Sequence, residues 1–134
     1  MRDKRNAIAL HALAVVIFGL LLWTGVTSIG SGAEALGIPM IITGGAGSAG
    51  SLTIVVSMLR DPTRPTTRQV ARLGMVIAAA VAVIIGVVLA PADTDRSFVI
   101  AVDVLIGTLL ATFAALAGDR RPAQLFDAAS RPAR

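Results

Sequence analysis

Four long apolar stretches, separated by short polar segments, make up most of this chain of 134 residues. They cover 6–27, 38–59, 70–90 and 97–118. A helix rises about 1.5 Å per residue, so a helix over each stretch would cross a hydrocarbon core of about 30 Å. The stretches are too long for the strands of a membrane barrel, and they lack the strict alternation of apolar and polar residues that such strands have. The pattern therefore predicts four transmembrane helices.

The segments between the stretches are too short to form a second domain. We therefore predict an all-α membrane protein, a single small bundle of four helices over 1–134 that includes a short cytoplasmic tail at 119–134. The composition agrees, because 55% of the residues are apolar, 15% are charged and the mean hydropathy is +0.81. Soluble domains have about a quarter of their residues charged. A water-soluble core is therefore excluded.

The basic residues predict the orientation of the helices. All lysines and arginines except Arg96 fall into three clusters, at 2–5, 60–72 and 120–134. Cytoplasmic loops of membrane proteins carry the excess of lysine and arginine. We therefore expect both termini and the 60–72 loop in the cytoplasm, with 28–37 and 91–96 outside, in a multi-pass protein of the bacterial cytoplasmic membrane.

The net charge of +4 points to lipid and not to nucleic acid, because the basic residues flank apolar stretches instead of covering a soluble face. Arg64, Arg68 and Arg72 recur at every fourth residue. On a helix they would form a stripe, which we expect to lie against anionic lipid headgroups. A simpler interpretation is that these charges only anchor the topology.

A glycine-rich segment at 45–50 matches the G-x-G-x-x-G pattern of dinucleotide-binding folds. Such a fold needs a second strand with an acidic residue about twenty positions further on. Here the apolar stretch continues into Arg60, so no such unit can be completed. We expect close packing of the second helix against a neighbour instead, through Gly44, Gly47 and Ser51.

An enzymatic site is not predicted. The chain has no cysteine, and its only histidine is His11. A Ser-His-Asp triad would need His11 beside Ser48 and Asp103, but depth counting separates His11 from Asp103 by about 13 Å. No metal-ligand cluster or carboxylate pair at one depth is evident. We therefore expect neither catalytic activity nor a cofactor.

Asp103 is the most informative polar residue, because it falls inside the fourth apolar stretch. Inserting an aspartate there costs about 2.5–3.5 kcal/mol, so its side chain should face protein or water. Gly107, Ala111 and Ala115 follow at intervals of four, and Thr43 has nearly the same depth in the second helix. We expect helices 2 and 4 to pack through their small residues, with Asp103 hydrogen-bonded to Thr43 or Ser48. Three roles are open for Asp103, namely a structural hydrogen bond, a contact to a partner subunit, or proton or cation coupling.

Three classes of function fit these features. The favoured one is an accessory or assembly subunit that packs against a larger membrane complex, such as a transporter or respiratory enzyme. The alternative is a minimal transporter or ion channel, a homo-oligomer with Asp103 in the pathway. A pore-forming lysis protein fits the size and the basic tail.

Overall fold

A computed structural model describes residues 2–60, 65–92 and 95–117 of the chain. The described residues form four helices and contain no strand: α1 (Arg2–Gly30), α2 (Glu34–Arg60), α3 (Pro65–Leu89) and α4 (Arg96–Leu116). All four are long and apolar enough to cross a membrane. The prediction of an all-helical chain with four such helices is confirmed. The 119–134 tail and Arg64 lie outside the described residues.

α1 and α2 extend at both ends beyond their apolar stretches into polar sequence, and α3 does so at its start, because backbone hydrogen bonding continues where side-chain hydrophobicity ends. α2 begins with Glu34 in its first turn and ends with Arg60 in its last. Both charges oppose the partial charge of the helix end at which they lie.

The turn between α1 and α2 is a Schellman motif centred on Gly32. The Ala33 N–H donates to Ser28 O at 3.0 Å, and the Gly32 N–H donates to Ile29 O at 3.1 Å. Gly32 has φ +84°, a left-handed conformation that glycine adopts without steric cost. The motif satisfies the last carbonyls of α1 and turns the chain directly into α2.

The bundle has two chemically different ends. We call the end with Arg5, Arg60, Arg68 and Arg72 the basic end, and the end with the α1–α2 and α3–α4 turns the hairpin end. α2 is central and contacts α1, α3 and α4. α1 and α4 meet through Phe113, whose ring lies edge-on to His11, with centroids 5.3 Å apart, and to Phe18 at 5.7 Å.

The buried apolar cluster occupies mainly the half of the bundle toward the basic end. Outward faces also carry large apolar side chains, whose exposed fractions range from 37% at Val56 to 76% at Val88. A monomer in water rarely exposes so much contiguous apolar surface, whereas such a surface is favourable in lipid. The buried cluster comprises Ala7, Ala14, Phe18, Ile54, Met58, Met75, Ala79, Leu110 and Ala114.

Candidate functional site

Close backbone contact joins α1 to α2 along a line of glycines. A Cβ added to Gly25 would lie 2.8 Å from Gly37 O, and one added to Gly44 would lie 2.7 Å from Phe18 O. Gly47 lies against the Phe18 ring with no room for a methyl group. These contacts bring two helix backbones together, which is how helices associate where no hydrophobic force drives them.

The small residues of α2 and α4 therefore have different partners from those we expected. Gly44 and Gly47 face α1, while Gly107 of α4 lies against Val83 and Ala79 of α3. α2 and α4 do contact each other, but the atoms nearest to a Cβ on these glycines belong to α1 and α3. Short hairpin connections make consecutive helices neighbours, and each glycine face lies against its neighbour. Of the remaining small residues, Ser51 is fully buried, Ala111 is half-buried and Ala115 is exposed.

Asp103 lies in the interior of the bundle, with 1% of its side chain exposed. Its carboxyl group contacts Gly86 of α3 so closely that a methyl group at residue 86 would overlap it. Neither carboxyl oxygen has a hydrogen-bond partner among the described residues. A buried polar group without a partner costs about 1–3 kcal/mol, and a charged one costs more. Such an expensive arrangement marks Asp103 as a candidate functional residue.

The expected hydrogen bond from Thr43 or Ser48 to Asp103 is not formed. Thr43 is fully buried, yet its hydroxyl has no partner within the described part of the chain, and the same holds for the Ser48 hydroxyl. Ser48 faces α1, where its Oγ is the nearest atom to Gly19. Ser48 therefore faces α1, whereas the Asp103 carboxyl group lies against α3.

Sequence reasoning missed Gly86 as the neighbour of Asp103. Gly86 lies near the end of α3 and Asp103 near the start of α4, so the two residues have similar depths in one hairpin. This similar depth is the sequence signal that points to α3 as a neighbour of Asp103, although it does not single out one residue of α3.

His11 lies far from Asp103, so the depth argument against a triad is supported. It is 3% exposed and packs against Phe113, which lies ten residues beyond Asp103 on α4. Ten helical residues span about 15 Å. The structure buries His11 beside the Phe113 ring.

The Arg72 side chain donates hydrogen bonds within the protein. Its Nε donates to Ala114 O at 2.9 Å, and its Nη2 lies 3.5 Å from Ala115 O. These carbonyls belong to the last turn of α4, where intrahelical donors are lacking and the partial charge is negative. The expectation that Arg72 serves lipid headgroups is thus corrected in part, since it caps α4. Arg68 is half-buried, and its Nε has no hydrogen-bond partner among the described residues.

Several cavities open at the surface of the described bundle, and two of them bear on function. A groove of about 540 Å³ runs between α2 and α3, and we call it the α2–α3 groove. A vestibule of about 450 Å³ opens at the hairpin end, and we call it the hairpin vestibule. The groove is lined by Ala46, Ala49, Gly50, Thr53, Thr66, Thr67, Val70, Ala71, Gly74 and Met75. The vestibule is lined by Gly32, Ala33, Glu34, Ala35, Leu36, Leu89, Pro91, Asp95 and Val99.

No group of histidines or carboxylates in 2–60, 65–92 and 95–117 is arranged to hold a metal ion.

The chain matches no protein-family model, no curated protein and no solved structure.

Proposed function

We propose that this chain is an integral membrane protein that acts as an accessory or assembly subunit, packing against a larger membrane complex such as a transporter or respiratory enzyme. The α2–α3 groove is the observation that carries this proposal. Ala49, Thr53, Val70 and Gly74 line it and are exposed, so it opens on the outside of the bundle. A concave surface in that position suits one further helix.

The chemistry of the groove supports a helix as its occupant. Its walls are mainly alanine, glycine and threonine, and a Cβ on Gly74 would meet nothing within 4 Å. Small residues let a second backbone approach, and threonine hydroxyls can donate to it. The chain already uses this chemistry internally, where Gly25 meets Gly37. A partner helix would extend the same mode of packing.

The proposed location is the bacterial cytoplasmic membrane, with both termini on the cytoplasmic side. The arginines of the basic end support this orientation, because positive charge collects on the cytoplasmic side. Anionic headgroups are then the proposed lipid partners of Arg64 and Arg68. They are also the proposed partners of the Arg72 N–H groups that do not donate to α4.

The test is purification from the native host in a gentle detergent, comparing the wild type with Ala49→Leu. Leucine at 49 would fill the groove, so a larger partner that copurifies in stoichiometric amount should be lost. Ala101→Leu is the matched control, because Ala101 is also an exposed helical alanine and lies outside the groove. Equal recovery of the partner with both variants, or no partner with the wild type, would refute the proposal.

A second candidate function is a minimal transporter or ion channel that works as a homo-oligomer, and the buried carboxyl group of Asp103 favours it. A charged group in a transmembrane segment commonly marks an ion or proton pathway. Purified protein in liposomes should then move ions without any partner, and Asp103→Asn should stop the movement. Unchanged ion flux with Asp103→Asn would exclude Asp103 from the pathway.

A further inference from the structure

Two acidic side chains line the hairpin vestibule. They are Glu34 in the first turn of α2 and Asp95 just before α4, and none of the other described residues that line it is basic. Arg96 is the next residue after Asp95, but it is exposed and is not part of the lining. The remaining walls are apolar. Carboxylates beside low-dielectric walls raise the local concentration of cations.

Asp103 lies one helical turn beyond the vestibule. Val99, which is 6% exposed, lines the inner wall, and Asp103 follows it four residues later, about 6 Å along α4. In a helix the Cα–Cβ bonds tilt toward the N-terminus, which for α4 is the hairpin end. In agreement, the Asp103 carboxyl group lies against Gly86, three residues before the end of α3 at the hairpin end, and both its oxygens are unpartnered among the described residues.

The opposite direction is closed by apolar side chains. Phe18, Met75 and Leu110 come from three helices, and each lies about 20 Å from the hairpin end. Their exposed fractions are 3%, 1% and 0%. A path to Asp103 is therefore much shorter from the hairpin end than from the basic end.

We propose that Asp103 binds a small inorganic monovalent cation, H⁺, Na⁺ or K⁺, which reaches it from the hairpin end through the hairpin vestibule. This inference deepens the second candidate function and is independent of the accessory-subunit proposal. A cation neutralises a carboxylate that has no other partner, and in a low-dielectric interior that attraction is strong. By residue count the fully buried Thr43 hydroxyl lies only about 3 Å deeper along α2, and it is a further oxygen on the hairpin side of Phe18, Met75 and Leu110.

The described helices carry few other ionisable side chains near this site. In the half of the bundle toward the hairpin end, α1 and α3 carry no ionisable side chain, α2 carries only Glu34, and α4 carries Arg96 with Asp95 directly before it. A response to cations that disappears with Asp103→Asn can therefore be assigned to Asp103. Asparagine has nearly the same shape, so it fits against Gly86.

The test is labelling of the purified wild-type protein with a membrane-permeable carbodiimide, which reacts with protonated carboxyl groups, followed by peptide mass spectrometry. We expect Asp103 to be labelled, and faster at lower pH. Parallel reactions in NaCl, KCl and choline chloride at equal ionic strength distinguish the cations. Protection by NaCl or KCl but not by choline chloride identifies a metal cation, and equal labelling in all three identifies H⁺.

Two further measurements make the test decisive. Glu34→Gln together with Asp95→Asn should slow labelling of Asp103 about tenfold at low ionic strength, and high salt should abolish the difference. Thermal unfolding should depend on the same cation in the wild type and not in Asp103→Asn. Absence of labelling at every pH, together with identical unfolding of both proteins in all salts, would overturn the proposal. Labelling without ion flux in liposomes would refute the transporter while leaving the cation site intact.

Discussion

The carboxyl group of Asp103 on α4 lies directly against Gly86 on α3, and glycine is the one residue type that leaves room for it. This contact has two consequences. It fixes how the α3–α4 hairpin packs, and it holds an ionisable group in the interior where the described residues offer it no hydrogen bond. Packing and candidate chemistry therefore depend on the same contact.

Gly86→Ala should destabilise the protein, because the added methyl group would overlap the Asp103 carboxyl. Overpacking of this kind costs about 1–3 kcal/mol, measurable as a lower midpoint of thermal unfolding in detergent. Gly74→Ala is the control, since a Cβ there meets nothing within 4 Å. Combining Gly86→Ala with Asp103→Ala should recover most of the loss. Additive effects in that double variant would show that the two residues do not interact.

Gly44→Ala and Gly45→Ala should differ sharply although the residues are adjacent. A Cβ on Gly44 would lie 2.5 Å from Leu22 N, and a backbone atom cannot move aside as a side chain can, whereas Gly45 has open space. We expect a loss of about 1–3 kcal/mol for Gly44→Ala and little change for Gly45→Ala. Unfolding midpoints of the two variants provide the measurement. Similar midpoints would contradict the α1–α2 contact.

Arg72→Gln should loosen the last turn of α4, because two carbonyls would lose a charged donor. A hydrogen bond to a charged group contributes about 1.5–3 kcal/mol, although the partial exposure of Arg72 reduces this value through solvent screening. Hydrogen exchange should accelerate in peptides covering 112–117. Arg5→Gln removes the same charge from the same end and should leave that exchange unchanged. Equal acceleration in both variants would indicate a general effect of charge.

The predicted orientation can be tested directly, because the chain contains no cysteine and single cysteines can be introduced without background. Ser31→Cys in the α1–α2 turn and Thr66→Cys at the start of α3 both place the thiol at an exposed position. In intact cells an impermeant maleimide should label Ser31→Cys, and Thr66→Cys should react only after the membrane is permeabilised. The reverse pattern would invert the topology.

The sequence by itself determined that the described residues form four helices, each long and apolar enough to cross a membrane. It also determined where polar segments separate these helices. Those properties are local, since an apolar length and the demand for internal backbone hydrogen bonds act within one segment. It also singled out Asp103, because an aspartate inside an apolar stretch is costly wherever the neighbouring helices lie.

Only the tertiary structure decided which helix faces met. The four helices are apolar on their outward faces as well as in the core, so hydrophobicity does not distinguish the face that packs from the face that points away. The contacts of Gly44 with α1, of Asp103 with Gly86 and of Arg72 with the end of α4 depend on steric fit between distant segments. Steric fit of this kind leaves no periodic signal in the sequence, which is why Thr43 was expected to bond Asp103 and does not.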